Sequence, residues 1–501
     1  MIERIEKRLT DYKKYRIITL ENQLRAVLIS DIRTPMDEDI KDEERNESDP
    51  VQKDLNIRNN QLSAAALCIN VGHFNNPKEL PGLAHYLEHM VFMGSEKYPI
   101  ENDFATTVSQ GGGSTNAWTD CERTLFHFTS RIESFEETLD KFAYFFISPL
   151  LLKSSMDREL DAVDSEFMST FTDDDKRISY FMQTLSKENS PRNRFYCGNK
   201  KSLKEDPIKN NIDVYDYLQR FRKELYSSNL MTLAIQSQDS LENLENLVRK
   251  AFSNIHNNNV QKNCSKELST SYDTEEFTKI YSIVPVKDLK RLKLSWYLSS
   301  SFNYKISSLL FLNFLFRYKG EGSLTSYLLG NGYITSLTCC CTQSSSDSSI
   351  AISIEMTDKG VESYKDIVGI IFSYINIIKH ETLHQLFLDY KSIRKNTFLY
   401  EENESPEFNT TELAENLQIY EDEDLWTGPN YLFDYSNDEF QEIINCLTPE
   451  KVNIMILCKS FEAQANRQTD VYDIKYSVRD ITKEELDDWK HPEIIEDLFL
   501  P

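Results

Sequence analysis

The alternation of apolar and polar positions divides the chain into short strands and amphipathic helices. Residues 15–29 hold two β-rich runs around Glu21-Asn22-Gln23, the pattern of a hairpin. Residues 62–71 (LSAAALCINV) read as a strand whose small side chains suit close packing beneath a site. Residues 81–94 (PGLAHYLEHMVFMG) have helical periodicity and stop at Gly94. A helix over 102–110 ends at Gly111-Gly112-Gly113, and 114–119 leaves those glycines extended. The alternating run 123–130 (RTLFHFTS) is a strand. Phe135, Leu139, Phe142 and Phe146 form one stripe of a helix over 132–146. Helices at 154–167, 215–226 and 241–252, with a strand at 230–236, complete this grammar.

A polar, Asn-rich stretch at 253–271 has no apolar period and marks a domain boundary. Beyond it the grammar repeats. Strands are expected at 279–284, 291–297, 332–342, 349–355 and 452–458, and helices at 306–318, 324–329, 360–378 and 384–400. Residues 34–60 interrupt the first half. Eight acidic residues fall between Asp37 and Asp49, with no apolar period, so this stretch reads as an exposed acidic insertion.

Composition narrows the function classes. With 501 residues the chain is long enough for two or more cores, and 40% hydrophobic with 27% charged residues is ordinary for a globular protein. A net charge of −25 argues against nucleic acid or an anionic membrane as partner and fits a protein that attracts basic ligands. No apolar run reaches a membrane span. Nine cysteines without a regular framework, behind a charged N-terminus lacking an apolar signal core, point to a reducing compartment, with the cytoplasm as expected location.

The chemistry concentrates in His85-Tyr86-Leu87-Glu88-His89. Positions four apart share a helical face, so this H-x-x-E-H pattern presents two imidazoles and a carboxylate together, the arrangement of two zinc ligands and a general base. The plain alternative is an amphipathic helix with two surface histidines. A zinc site needs a third protein ligand. The acidic helix over 154–167 offers Glu159 and Glu166, seven apart on one face with Ala162 and Val163 between. Periodicity alone leaves Glu166, Asp164 and Glu159 level. The extended segment 114–119 is suited to pair with a substrate backbone as an added strand; an ordinary hairpin is the alternative. In the second half, His380 and His384 flank a misplaced Glu381 and read as surface residues. Cys339-Cys340-Cys341 read as ordinary strand residues, since neighbours on a strand face opposite sides.

Three co-linear stretches, AHYLEHMVFMGSEKYPIEN, GGGSTNAWTDCERTLFHF and DRELDAVDSEF, together resemble the pitrilysin/insulinase class of zinc metallopeptidases, the inverzincins. Similarity continues in order through YSSNLMTLAIQS, YSIVPVKDLKRL, GEGSLTSYL, ENLQIYEDEDLWTG and TPEKVNIMILCKS. The resemblance implies an α+β fold of two consecutive α/β-roll domains: a catalytic domain over 1–262 and a homologous, catalytically inactive one over 263–501. It implies one Zn2+ held by His85, His89 and Glu166, with Glu88 as base and Glu159 as supporting carboxylate. The substrate strand falls on 114–119, with Asn116 and Ala117 at its centre; Trp118 is a candidate wall for a substrate side chain. Peptide substrates cut beside basic residues or basic pairs are implied too. Relatives carry a further half that closes a chamber and supplies substrate-binding residues. The expectation is therefore a short form, a fragment, or one part of an assembly with a C-terminal-half partner or with itself. Relatives also tend to carry glycines where this chain has Thr338-Cys339-Cys340. The rival class is a non-catalytic half-chain that binds peptides or a partner.

Overall fold

The computed structural model describes residues 6–32, 62–261, 268–298 and 303–501. The acidic insertion expected at 34–60 lies outside them. The chain forms two compact units. The first takes in Met1–Phe167, Arg194–Asn263 and Thr397–Asn430; the second takes in Met168–Asn193, Cys264–Asn396 and Tyr431–Pro501.

The first unit is built on a six-stranded sheet. Its strands are β1 (Lys14–Thr19), β2 (Arg25–Ser30), β3 (Leu62–Ile69), β4 (Thr115–Thr119), β5 (Thr124–Arg131) and β6 (Met231–Ser237). They lie in the order β1-β2-β6-β3-β5-β4. Only β2 and β6 run parallel; the other neighbours are antiparallel. The central strands are buried on both faces, as their continuous apolar runs require. Alternation decides which helix each side chain meets. Ala65, Leu67 and Ile69 join the core with the helices Ile132–Ile147 and Leu241–Phe252. The opposite face is covered by the helix Pro406–Ile419. There Thr232 Oγ1 donates to the Ala414 carbonyl at 2.6 Å, and Asn409 Nδ2 donates to Gln236 Oε1 at 2.7 Å.

The second unit repeats the sheet. Its strands are β7 (Lys279–Ile283), β8 (Arg291–Leu298), β9 (Ile334–Gln343), β10 (Ser348–Met356), β11 (Asn453–Leu457), β12 (Arg467–Gln468) and β13 (Lys475–Asp480). The order is β12-β13-β7-β11-β8-β10-β9, with β7 and β11 the parallel pair. From β13 to β9 the sequence of antiparallel and parallel pairings matches that from β1 to β4. Each sheet therefore ends in an edge strand reached by a hairpin, β4 in one and β9 in the other. The helices Ser308–Arg317 and Tyr364–His380 supply the core on one face. On the other, Phe181 of the helix Asp174–Thr184 packs edge-on against Tyr281 and Tyr476.

Where an element was expected the local readings hold to within a few residues, but elements that were not expected include the helices Asp174–Thr184, Pro406–Ile419, Asn437–Cys446 and Lys483–Lys490 and the strand Lys475–Asp480, and one expected helix is divided. The helix expected over 360–378 is two helices, Asp358–Glu362 and Tyr364–His380, meeting at Ser363. The helix Pro406–Ile419 is unpredicted because its buried face includes Asn409, Thr410 and Asn416, which break any apolar stripe. Cys339 is buried, Cys340 exposed and Cys341 half-buried on β9, the alternation of a strand. Among the described residues no helix is long and apolar enough to cross a membrane.

Candidate metal centre

The helix Leu83–Val91 is held on two sides by buried Leu83, Ala84, Tyr86, Leu87, Met90 and Val91. Its remaining side carries His85, Glu88 and His89. The helix starts at Gly82 with φ 94°, a left-handed conformation that costs other residues but not glycine. A Cβ there would stand 2.2 Å from Gly198 Cα, so only two glycines allow the backbones to cross this closely. The crossing brings the Cys197 carbonyl to 2.7 Å from His85 Nδ1. With Nδ1–H donating to that oxygen, His85 turns Nε2 towards Glu166, and the neutral ring would offer the Nε2 lone pair to a metal.

The Tyr86 hydroxyl donates to the Met156 carbonyl at 2.6 Å and so ties down the start of a second helix, Met156–Thr170. Leu160, Val163 and Phe167 bury one side of that helix. Glu159 and Glu166, two turns apart, face the histidines. Glu166 Oε2 lies 3.4 Å from His85 Nε2 and 3.5 Å from His89 Nε2. Glu159 Oε2 lies 3.9 Å from the other ring nitrogen of His89, Nδ1. Asp164, which periodicity leaves level with Glu166, turns elsewhere and accepts the Lys200 amide at 3.0 Å. His85, Glu88 and His89 also offer ligand atoms within 4.8 Å of one another.

This donor set suits zinc. Ligands about 2.1 Å from a tetrahedral ion stand about 3.4 Å apart, and two nitrogens with one carboxylate leave a position open. The separations from Glu166 to the two histidines have that size. The charges agree. Burial opposes protonation of His85, but Cys197, Glu166 and Glu88 outweigh it and raise its pKa. Hydrogen bonds from His85 and His89 hold Glu166 well below the usual carboxylate range. The pocket thus favours a positive charge between these side chains.

Glu88 is 6% exposed. Burial raises its pKa, against the pull of His85, Thr119 and His89. The Thr119 hydroxyl donates to Glu88 Oε2 at 2.7 Å. Thr119 ends β4, the edge strand that packs beside the motif helix. On β4, Asn116 pairs with His127, Ala117 with Phe126 and Trp118 with Leu125. Asn116 is exposed and Ala117 half-buried against the core. The Trp118 ring lies 5.6 Å from that of His127. Among the described residues no strand pairs with the outer side of β4.

Sequence reasoning did not single out Thr119 for the base, the Cys197 carbonyl or Tyr226. The buried Tyr226 hydroxyl is pushed far above its usual range by burial and by the Glu88 charge. Gly198 was the available signal for the Cys197 carbonyl; Tyr226 leaves none in a single sequence.

Known proteins share this architecture. Residues 55–190 match the family described as Insulinase (Peptidase family M16), 213–389 the Peptidase M16 inactive domain, and 398–501 the middle or third domain of peptidase M16. Nardilysin of Rattus norvegicus is 37% identical over 452 residues, covering 88% of this chain and 38% of that protein. Insulin-degrading enzyme of Drosophila melanogaster is 33% identical over 502 residues, covering 100% of this chain and 48% of that protein. The chain thus spans less than half the length of these relatives. The crystal structure of pitrilysin superposes with a TM-score of 0.86 at 24% identity, over 100% of this chain and 50% of that one, which shows the fold. A protease from Helicobacter pylori superposes with a TM-score of 0.64 at 16% identity, over 89% of this chain and 99% of that one. From these matches, the chain belongs to the M16 (insulinase/pitrilysin) family of peptidases.

Proposed function

We propose that the chain is a zinc-dependent endopeptidase of peptides, cutting beside basic or dibasic residues. The observation that carries the reading is the Glu166 carboxylate standing 3.4 and 3.5 Å from two histidine Nε2 atoms, with the buried Glu88 alongside. His85, His89 and Glu166 would hold one Zn2+ per chain. When bound, the ion would polarise the scissile carbonyl as a Lewis acid and lower the pKa of the attacking water towards about 7. Glu88 takes the water's proton and returns it to the leaving amine; its raised pKa suits a group that must both accept and release a proton. Glu159 orients His89. Asn116 and Ala117 on the open side of β4 receive the substrate backbone as an added strand, and Trp118 flanks a substrate side chain. A net charge of −25 favours capture of basic peptides, with a rate that falls as salt rises.

On this reading 1–262 is the catalytic domain and 263–501 its inactive homologue, in a protein of the cytoplasm. A second reading has a specific support, the match to only 38–48% of the relatives' length. In it the chain works as a subunit that turns over peptide only with a C-terminal-half partner or a second copy. The test is cleavage of a quenched-fluorescence dibasic peptide by the purified chain, with and without chelator. Glu88→Gln should keep one zinc per chain and lower kcat by roughly 10^2–10^4. If wild type and Glu88→Gln are equally inert while zinc is bound, the peptidase reading of the chain alone fails. Recovery on adding a C-terminal half, or with increasing chain concentration, then selects the second reading.

A further inference from the structure

The base of this site is anchored to the strand proposed to hold the substrate. We infer that Thr119 is a positioning residue for Glu88, fixing the carboxylate through its hydroxyl and thereby coupling the backbone of β4 to the base. The inference rests on the peptidase reading above and adds a residue and a function for its side chain.

The geometry is specific to a hydroxyl at this place. Glu88 has its carboxylate inside the protein, where an ion without donors is costly, and the Thr119 Oγ1–H supplies a short charge-assisted hydrogen bond of 2.7 Å to Oε2. Thr119 is not free to follow Glu88 around. It is the last residue of β4, paired across the hairpin with Thr124. Its hydroxyl lies 3.2 Å from Thr124 Oγ1, and Thr124 Oγ1 in turn donates to the Val71 carbonyl at 2.8 Å. Val71 directly follows the turn after β3, and Thr124 is fully buried. The hydroxyl of Thr119 therefore sits against a buried threonine whose own proton goes to the backbone beside the central strands.

This chain also suits both forms of the base. Toward the carboxylate, Thr119 donates. Toward the carboxylic acid, formed when Glu88 takes the water's proton, the same oxygen can accept from Glu88 while its own proton turns to Thr124 Oγ1, which keeps its bond to Val71. In the carboxylate form the two threonine protons go to Glu88 and Val71, and in the acid form to Thr124 and Val71, so the exchange needs only a rotation of the Thr119 hydroxyl. A valine at position 119 would keep the β-branched shape and the strand but offer neither role.

A second consequence concerns the substrate. Asn116, Ala117 and Trp118 precede Thr119 on one extended segment of five residues. A peptide laid along the open side of β4 bears on the strand whose end holds the base. The strand that would receive the peptide is thus the strand that already holds the donor to Glu88.

The experiment compares Thr119→Val and Thr119→Ser with wild type, using a peptide that wild type cleaves in a chelator-sensitive manner, or the reconstituted halves if only those turn over. Zinc per chain and the melting temperature are read on every variant. Thr119→Val should lower kcat by about 10- to 100-fold, the range for loss of one hydrogen bond to a charged group. KM should stay within about twofold and zinc at one per chain, and Thr119→Ser, which restores the hydroxyl, should recover most of kcat. A Thr119→Val enzyme with wild-type kcat overturns the inference. So does a loss shared equally by the valine and serine variants, or one carried by KM, since each of those reads out the strand and not the hydroxyl. If Thr119→Val is poorly folded, a double-mutant cycle on the melting temperature replaces it, with Thr119→Ser and Thr119→Ala in the wild-type and Glu88→Gln backgrounds. Strict additivity there overturns the contact. A wild-type chain that never cleaves peptide, alone or reconstituted, is a different result: it removes the peptidase reading itself and needs no variant to be seen.

Discussion

Replacing Glu159 by Gln tests what a carboxylate behind the proposed metal ligand His89 contributes. Glu159 Oε2 is 3.9 Å from His89 Nδ1 and its side chain is 13% exposed. A full pair of charges at that separation, with an effective dielectric near 20, would interact by about 4 kcal/mol. An imidazole donating to a metal carries only part of a positive charge. Arg158 Nε also stands 3.5 Å from the other Glu159 oxygen and competes for it. A third to a half of the full value, about 1.4–2 kcal/mol, is a reasonable remainder, and corresponds to zinc bound roughly 10- to 30-fold more weakly. Competition against a chromogenic chelator measures this directly, on a variant that preserves shape and hydrogen-bonding capacity. Cleavage at saturating zinc should fall much less than the affinity. A zinc affinity within twofold of wild type would show that Glu159 does not act on His89. A full-sized loss of kcat that persists at saturating zinc would place Glu159 in the reaction instead of behind the ligand.

Two further expectations concern stability. Burial works against the Glu485 carboxylate, but Arg479, the Thr482 amide and Lys365 bring its pKa down from 4.5 to about 2. A depressed folded-state pKa stabilises the fold above the unfolded value and is lost as pH falls through the folded one. The difference in unfolding free energy between wild type and Glu485→Gln should therefore be largest near neutrality and close between about pH 4.5 and 2. Urea titrations giving a pH-independent difference would contradict this. Asp174, 4% exposed, accepts the Val286 and Lys287 amides at 2.8 Å each and lies 3.6 Å from Arg177 Nε. Asp174→Ala strands both amides and removes the carboxylate beside the buried Arg177, and should cost about 3–5 kcal/mol, with faster hydrogen exchange at Val286 and Lys287; a loss below about 1 kcal/mol would refute it.

Much of the site is visible in sequence because helical spacing is a geometric rule. Residues four apart on 83–91 and seven apart on 156–170 must share faces, so His85, His89, Glu159 and Glu166 declare their directions. Choosing Glu166 over Asp164 rests on the family resemblance; in the structure Asp164, two residues away and so turned to the other side of the helix, accepts the amide of Lys200, 36 positions on. The partners of Glu88 and His85 were harder still. Thr119 reaches Glu88 through a hairpin register, and Cys197 reaches His85 because two glycines let backbones touch. Neither contact leaves a periodic trace. The same limit hid the helix Pro406–Ile419, whose buried asparagines are satisfied by partners distant in sequence such as Gln236.

The first sheet is closed on its far face by Pro406–Ile419, drawn from the later part of the chain, while against the second sheet Phe181 of Asp174–Thr184, drawn from the earlier part, packs on Tyr281 and Tyr476. During synthesis the first sheet is complete once β6 has emerged, yet Ala64, Ala66, Cys68 and Thr232 lack their covering helix until residue 419 is made. At about 5–20 residues per second, the stretch from 262 to 419 takes roughly 8–30 s. Through that interval an apolar sheet face waits uncovered on the ribosome. The helices that carry His85, His89, Glu159 and Glu166, on the opposite face, are all made before that interval begins.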